Sequence, residues 1–390
     1  MARSGTLGVR RTSGKLTSGA ARIGLAALAL AVGASSLDAQ RVWRRTLYPY
    51  AFYSTGDGYW GAAHVGLYSP IGFAERPERN AADVGFDAAA STHGSYSFVA
   101  DAQFPGVWTG WRVRLTASAA RDNRLGFYGL GNDTPYEADS VTTDSPQFYQ
   151  VRRTNQDARV TVQRKLIGPL RALAGAGIRH TEFRAPSGGS AFSQDSTYVP
   201  FTDRTVRAGL VFDSRDNELV PHSGIMVEAL FASGAGYTRK TGSARVFVHP
   251  VKRLVLAARL AGETTGGNPP LAAQLEMESS ELPFFAVGGY YSLRAYRNGR
   301  FIGPSKLVGG FEVRYAPVWA PTVVELQIVG FYDAGRVFGP EESLRVTTTG
   351  LHQSGGGEVA VRFLRNTFMV MGVGAGSEGA RFVFGTQWSY

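Results

Sequence analysis

The sequence predicts an all-β protein, a closed antiparallel transmembrane β-barrel of about 16 strands. Three observations predict it. Apolar and polar residues alternate at period two in segment after segment. Charges fall on the face opposite the large apolar side chains. A leader of the export type stands in front of both.

Length and composition bound the rest. The chain has 390 residues, 49 of them glycine, with 12% aromatics and no cysteine, which rules out a disulfide framework and thiolate chemistry. No linker divides it into soluble domains. Residues 1–39 read as a signal peptide: Arg3, Arg10, Arg11, Lys15 and Arg22 precede an apolar run from Ile23 to Ala34, and Ser35-Ser36-Leu37-Asp38-Ala39 brings a small residue to the cut. The run falls short of the roughly 20 residues a spanning helix needs. A membrane anchor is the alternative reading of the same residues. Residues 40–390, the expected barrel domain, carry 36 basic and 30 acidic side chains, a net charge of +6. That is too modest to argue for nucleic acid as a partner.

Alternation by itself does not separate a soluble sandwich from a membrane barrel, because the two differ in which face is apolar. The predicted strands are 46–54, 59–69, 80–90, 95–104, 107–120, 147–165, 171–184 and 200–213, then 224–236, 241–250, 253–264, 305–316, 323–337, 355–365, 367–377 and 380–390. Their number is even, as closed bacterial barrels require. Tight connections are expected at Pro105-Gly106, Gly168-Pro169, His249 to Lys252 and Asn366. Residues 121–146, 185–199, 265–304 and 338–354 read as long structureless loops. Short turns at one end and long loops at the other suit an outer-membrane barrel with its short side in the periplasm.

The face separation is clearest in three strands. Val206, Ala208, Leu210 and Phe212 alternate with Thr205, Arg207, Gly209 and Asp213. Val324, Leu326, Ile328 and Tyr332 oppose Glu325, Gln327 and Asp333. Phe382, Phe384, Trp388 and Tyr390 oppose Arg381, Gly385, Gln387 and Ser389. A charge at mid-bilayer costs about 2–4 kcal/mol, so a lipid-facing wall demands this separation. Trp388 and Tyr390 are then expected in an interfacial aromatic girdle. The ending Gly385-x-x-Trp388-x-Tyr390 also resembles the C-terminal sorting signal of outer-membrane proteins.

The stretch from Glu281 to Pro317 organises the chain. Its first half holds glycines and the arginines Arg294, Arg297 and Arg300 among aromatics, and reads as a basic loop feeding one strand. Gly288-Gly289-Tyr290-Tyr291-Ser292-Leu293-Arg294-Ala295-Tyr296 resembles the loop motif of the BamA/TamA barrel superfamily (bacterial surface antigen domain). Phe311 to Pro317 and Gly330-Phe331-Tyr332-Asp333-Ala334-Gly335 resemble its next two strands. Asp213-Ser214-Arg215-Asp216-Asn217 with Pro221 and Gly224 resembles one of its turns, and Phe127 to Pro135 is similar to a further segment. The resemblance covers most of 125–390, with the motifs in the family's order.

The resemblance implies a loop folded back into the lumen, with Arg294 reaching Glu312 and Asp333, which strand parity also places on the inner face. A guanidinium fork can hold a carboxylate bidentately and so pin a loop that gains little from burial. Gly288, Gly289, Ser292 and Tyr296 are the other motif residues. Ala295 departs from the family's glycine, and strain is expected there if a left-handed backbone is required. Between leader and first strand only Gln40 to Arg45 remain, so the periplasmic transport-associated domains of the family are expected to be missing.

Neither a catalytic constellation nor a metal site is legible. The histidines at 64, 93, 180, 222, 249 and 352 are scattered, and no G-x-S-x-G elbow or phosphate-cradling loop is present, so no enzymatic role and no cofactor is expected. By resemblance, the expected role is assembly or translocation at the bacterial outer membrane. Lipids of that membrane are the expected partners, and client proteins or a separate periplasmic protein are compatible with the same residues. The rival expectation is a passive pore or structural barrel without clients.

Overall fold

The computed structural model describes residues 42–54, 56–71, 77–78, 80–194, 199–320, 323–363 and 367–390. The predicted leader, residues 1–39, and the turn expected at Asn366 lie outside the described residues.

Sixteen antiparallel strands follow one another in a single sheet, each hydrogen-bonded to its neighbour in the chain. They are β1 (Arg44–Ser54), β2 (Gly58–Pro70), β3 (Asn80–Ser91), β4 (Tyr96–Trp108), β5 (Trp111–Gly126), β6 (Gln150–Ile167), β7 (Leu170–Arg184) and β8 (Phe201–Asp213). Next come β9 (Gly224–Gly234), β10 (Tyr237–Val251) and β11 (Leu254–Gly267). The connection that follows contains a short helix, α1 (Leu271–Leu275), and a two-stranded ribbon of β12 (Glu276–Met277) and β13 (Phe284–Phe285). The large sheet resumes with β14 (Ser305–Ala320), β15 (Val324–Phe338), β16 (His352–Phe363), β17 (Thr367–Gly376) and β18 (Gly379–Gly385).

The burial pattern is the reverse of a water-soluble core. On β8, Val206 is 62% and Leu210 48% exposed, while Arg207 between them is 6% exposed. On β15, Ile328 is exposed at 54% and Tyr332 at 48%, against 1% for Glu325 and 0% for Asp333. Apolar rows point outward and ionised groups line the hollow, as a lipid-facing wall requires.

Sequence and structure differ at particular joints. Pro105 and Gly106 do not turn the chain. They lie inside β4 where the register to β5 shifts between Phe104 and Trp108, and the reversal comes at Thr109-Gly110. A proline without an N–H is tolerated at such a bulge. The expected connection at His249 to Lys252 contracts to Lys252-Arg253 after a second register shift. Residues 265–304 are not structureless, since they carry α1 and the ribbon. The last strand is shorter than predicted: β18 ends at Gly385, and Thr386 to Tyr390 leave the sheet.

Candidate functional site

The connection between β11 and β14, residues 268–304, folds back against the inner wall. Its entry is anchored by α1, whose Leu271 and Leu275 join Leu125, Phe127, Val151 and Ile302 in one apolar cluster. Beyond the ribbon the backbone turns tightly at Gly288 and Gly289, both at φ 108°. A side chain on the first would strike the carbonyl of Arg297, and one on the second the side chain of Asn298. Only glycine meets both conditions. The Gly288 N–H donates to Ser292 Oγ at 3.0 Å, the Ser292 N–H to the Gly289 carbonyl at 3.0 Å, and the Tyr296 N–H to the Leu293 carbonyl at 3.0 Å. The motif thereby closes on itself and presents Arg294 outward from the turn.

Arg294 meets three carboxylates. Its Nε and Nη2 grip Asp333 at 2.9 and 2.8 Å, and its Nη1 donates to Glu312 at 2.7 Å and to Glu358 at 3.0 Å. Its backbone N–H donates to Asp333 at 3.2 Å, and the face of the guanidinium stacks on the Phe331 ring at 3.7 Å. The side chain is fully buried. Glu312 is shared with Arg314, whose Nε donates to it at 2.7 Å. The structure thus brings Arg294, Glu312 and Asp333 into one network on β14 and β15. It adds Glu358 of β16, which sequence reasoning missed although it shares strand parity with the inward-facing Arg362.

Ala295 needs no left-handed backbone: among the described residues other than glycine only Arg253 has positive φ. The expected strain is therefore absent. Ala295 is buried beside Gly374 of β17, with its backbone nitrogen 3.3 Å from where a side chain at Gly374 would begin. The space comes from the wall rather than from the loop. Tyr296 is buried, and its hydroxyl pairs with Ser377 at 2.9 Å.

A second, opposite set of charges was not anticipated. Three loop glutamates are held by arginines of β6 to β10 and of the β8–β9 turn. Glu276 takes Arg179 at 2.6 Å and Arg153 at 3.4 Å; Glu278 takes Arg207 at 2.6 Å, Arg159 at 3.1 Å and Arg239 at 3.4 Å; Glu281 takes Arg245 at 3.2 Å and Arg215 at 3.4 Å. Lys306 and Arg239 both reach Glu263, at 2.8 and 2.9 Å. The loop's glutamates thus lie against arginines of β6 to β10, and its Arg294 against carboxylates of β14 to β16. One loop carries the counter-charge for each. The signal was present in Glu276, Glu278 and Glu281, but parity rules for strands do not reach into an irregular loop.

The chain's last residues share the lumen. Trp388 and Tyr390, expected on the lipid face, are each 5% exposed and turn inward, because alternation governs facing only while the chain stays in the sheet. Trp388 packs on Phe368 and Val220 and lies 3.8 Å from the Arg314 guanidinium. Ser389 Oγ donates to Glu312 at 3.1 Å, and Tyr290 donates from its hydroxyl to the Gln387 carbonyl at 2.6 Å. Gly385, the first residue of the predicted sorting signal, is buried against the Tyr290 ring.

The turn between β8 and β9 closes the same end. His222 meets Glu325 at 2.9 Å and Asp216 at 3.3 Å. Burial opposes its charged form, but these two carboxylates outweigh that and raise its pKa above the ordinary imidazole value. Among the described residues, no group of three or more metal-ligating side chains converges.

A sixteen-stranded antiparallel barrel sheet with a lumenal loop pinned through an arginine defines a class of outer-membrane proteins. The Omp85 superfamily domain matches residues 79–377, and the chain belongs to that superfamily. Its fold is similar to that of BamA from Haemophilus ducreyi lacking POTRA domains 1–3, at TM-score 0.54 and 11% identity, covering 94% of this chain and 77% of that one. It is also similar to CdiB from Escherichia coli, at TM-score 0.56 and 11% identity, covering 90% and 68%. At this identity the likeness concerns the fold. A comparison with curated proteins finds no match. Superfamily membership makes the chain, in general terms, an outer-membrane assembly or secretion barrel.

Proposed function

We propose that this barrel serves the assembly or translocation of proteins at the bacterial outer membrane, with the loop around Arg294 holding the lumen in shape while the edge strands β1 and β18 form the weak seam. The observation that carries the reading is the pinned loop. One guanidinium holds three carboxylates from three successive strands, so the loop ties together the part of the wall that leads to the last strand. The edge itself is unequal: β1 has 11 residues and β18 has 7. A short strand contributes few ladder hydrogen bonds, which makes that edge the natural place to open.

The competing reading is a passive pore. Loop and tail occupy the lumen next to Glu312, Asp333 and Glu358, which argues against an open bore. Deleting the gene and measuring outer-membrane protein levels tests the proposal. Loss of a defined set of client proteins, recovered in a crosslinked pull-down with the barrel, is the expected result. An unchanged outer membrane together with steady single-channel conductance of the purified barrel would favour the pore.

A further inference from the structure

We propose that the lumen chamber at the short-turn end is a binding site for a carboxylate carried on an apolar body, received by Arg259. The chamber is a cavity of about 360 Å³ between β4 and β5, the β8–β9 turn, the loop at 279–284 and the chain's last four residues. Most of its arginines are already matched. Arg112 pairs with Glu78 and Glu218, Arg114 with Asp101, Arg215 with Asp213, and Arg245 with Glu281.

Arg259 of β11 is different. It is 6% exposed, and among the described residues no carboxylate lies within ion-pair distance of it. Its Nη1 donates to the carbonyls of Tyr291 at 2.7 Å and Ser389 at 3.3 Å, while its Nε and Nη2 have no acceptor among the described residues. Aromatic rings cover the guanidinium, Tyr390 at 4.6 Å and Phe284 at 5.7 Å. What remains unmatched is the in-plane Nε/Nη2 edge. Through that same edge Arg294 holds Asp333 at 2.9 and 2.8 Å, Arg215 holds Asp213 at 2.9 and 2.9 Å, and Arg114 holds Asp101 at 2.9 and 3.2 Å. Three arginines of this lumen thus present the edge to a planar pair of oxygens, whereas in Arg259, which lines the cavity, the same two donors are buried without an acceptor. A buried guanidinium left with two free donors carries a desolvation cost that a bidentate carboxylate removes.

The cavity is several times the size of a carboxylate group, so the ligand brings a body with it. Phe104, Met226, Leu282, Phe284 and Trp388 supply apolar wall for that body. Arg171, beside the Gly168-Pro169 reversal, also lines the chamber and has no carboxylate partner among the described residues. A further cation in the lining raises the local concentration of anions. The chemistry fits a fatty acid or a polypeptide carboxylate, and the inference does not depend on the assembly role.

The test is calorimetric titration of the full chain in detergent with octanoate and with N-acetylphenylalanine, each against its neutral amide. At least one acid is expected to bind while its amide does not. Octanoate alone would mark a lipid-derived ligand, N-acetylphenylalanine alone a polypeptide carboxylate, and both a site that selects only the shared chemistry. Arg259→Gln is expected to weaken binding about tenfold or more, equivalent to about 1.4 kcal/mol. Leu282→Trp, which fills the chamber without removing charge, is expected to weaken it too. Equal affinity of wild type and Arg259→Gln, acid and amide binding alike, or no binding of either acid would overturn the proposal. Should Arg259→Gln fail to fold, the acid-against-amide comparison on the wild type decides it.

Discussion

Arg294 carries more of the site than its position in an irregular loop suggests. Replacing it with alanine leaves Glu312, Asp333 and Glu358 buried around a gap, with Arg314 as the remaining cation on Glu312. Uncompensated buried charge of this kind costs about 3–5 kcal/mol. Arg294→Ala is therefore expected to lower the urea midpoint of barrel unfolding and to expose the loop to protease. An unchanged midpoint with unchanged cleavage would show that the network is ornamental. Lysine in the same place keeps the charge but has no planar fork, so Arg294→Lys is expected to recover only part of the loss. Glu312 and Asp333 were legible because strand parity and a family resemblance pointed to the same face, and Arg294 through the resemblance alone. Glu358 had the parity signal alone. Arg259 and the three loop glutamates had no comparable signal, because their partners are set by how the loop crosses the lumen.

At the scale of elements, strands were the readable part. All sixteen strands of the large sheet were anticipated, since alternation at period two is local and each strand carries its own copy of it. The joints were less readable. Pro105-Gly106 looks like a turn in sequence and is a bulge in space, because the register to β5 decides where the chain reverses. The tail was misread for a related reason: Trp388 and Tyr390 keep the spacing of a strand after the strand has ended. Trp388 fills a cluster with Val220, Val329, Phe368 and Val370, and its removal leaves a cavity. Trp388→Ala is expected to cost about 3–5 kcal/mol by denaturant titration, where an outward girdle residue would cost far less. The β8–β9 turn adds a pH dependence. His222 has a raised folded-state pKa, so its contribution is fully present below the unfolded value of about 6.5 and is lost as pH rises through the higher folded value. Stability measured across that window is expected to fall toward alkaline pH in the wild type and to fall less in His222→Gln. Parallel curves for the two proteins would remove the histidine from the account.

For the whole molecule, the organising fact is a loop held at two places by charges of opposite sign. Arginines of β6 to β10 and the β8–β9 turn hold the loop's glutamates, and carboxylates of β14 to β16 hold its arginine. A loop held this way sits in the hollow in one orientation, since reversing it would set its glutamates against Glu312, Asp333 and Glu358 and Arg294 against the arginines. Such a barrel is expected to conduct poorly in planar bilayers, with Arg294→Ala and Glu278→Gln each raising conductance by releasing one end of the loop. High conductance of the wild type would contradict the filled lumen. The outward apolar surface and the inner charges were visible in sequence as alternation. The pairing of the loop's charges with the wall was not, because it depends on which strands the loop lies against.

The central claim is that Arg294 holds the loop inside the barrel, and the absence of native cysteine allows a direct measurement. Ser292→Cys places a single thiol next to the pin at a buried position. Labelling of the folded protein with a water-soluble maleimide is expected to be slow in this background and fast when Arg294→Ala is added. Equal labelling rates in the two proteins, or fast labelling with Arg294 in place, would contradict the claim.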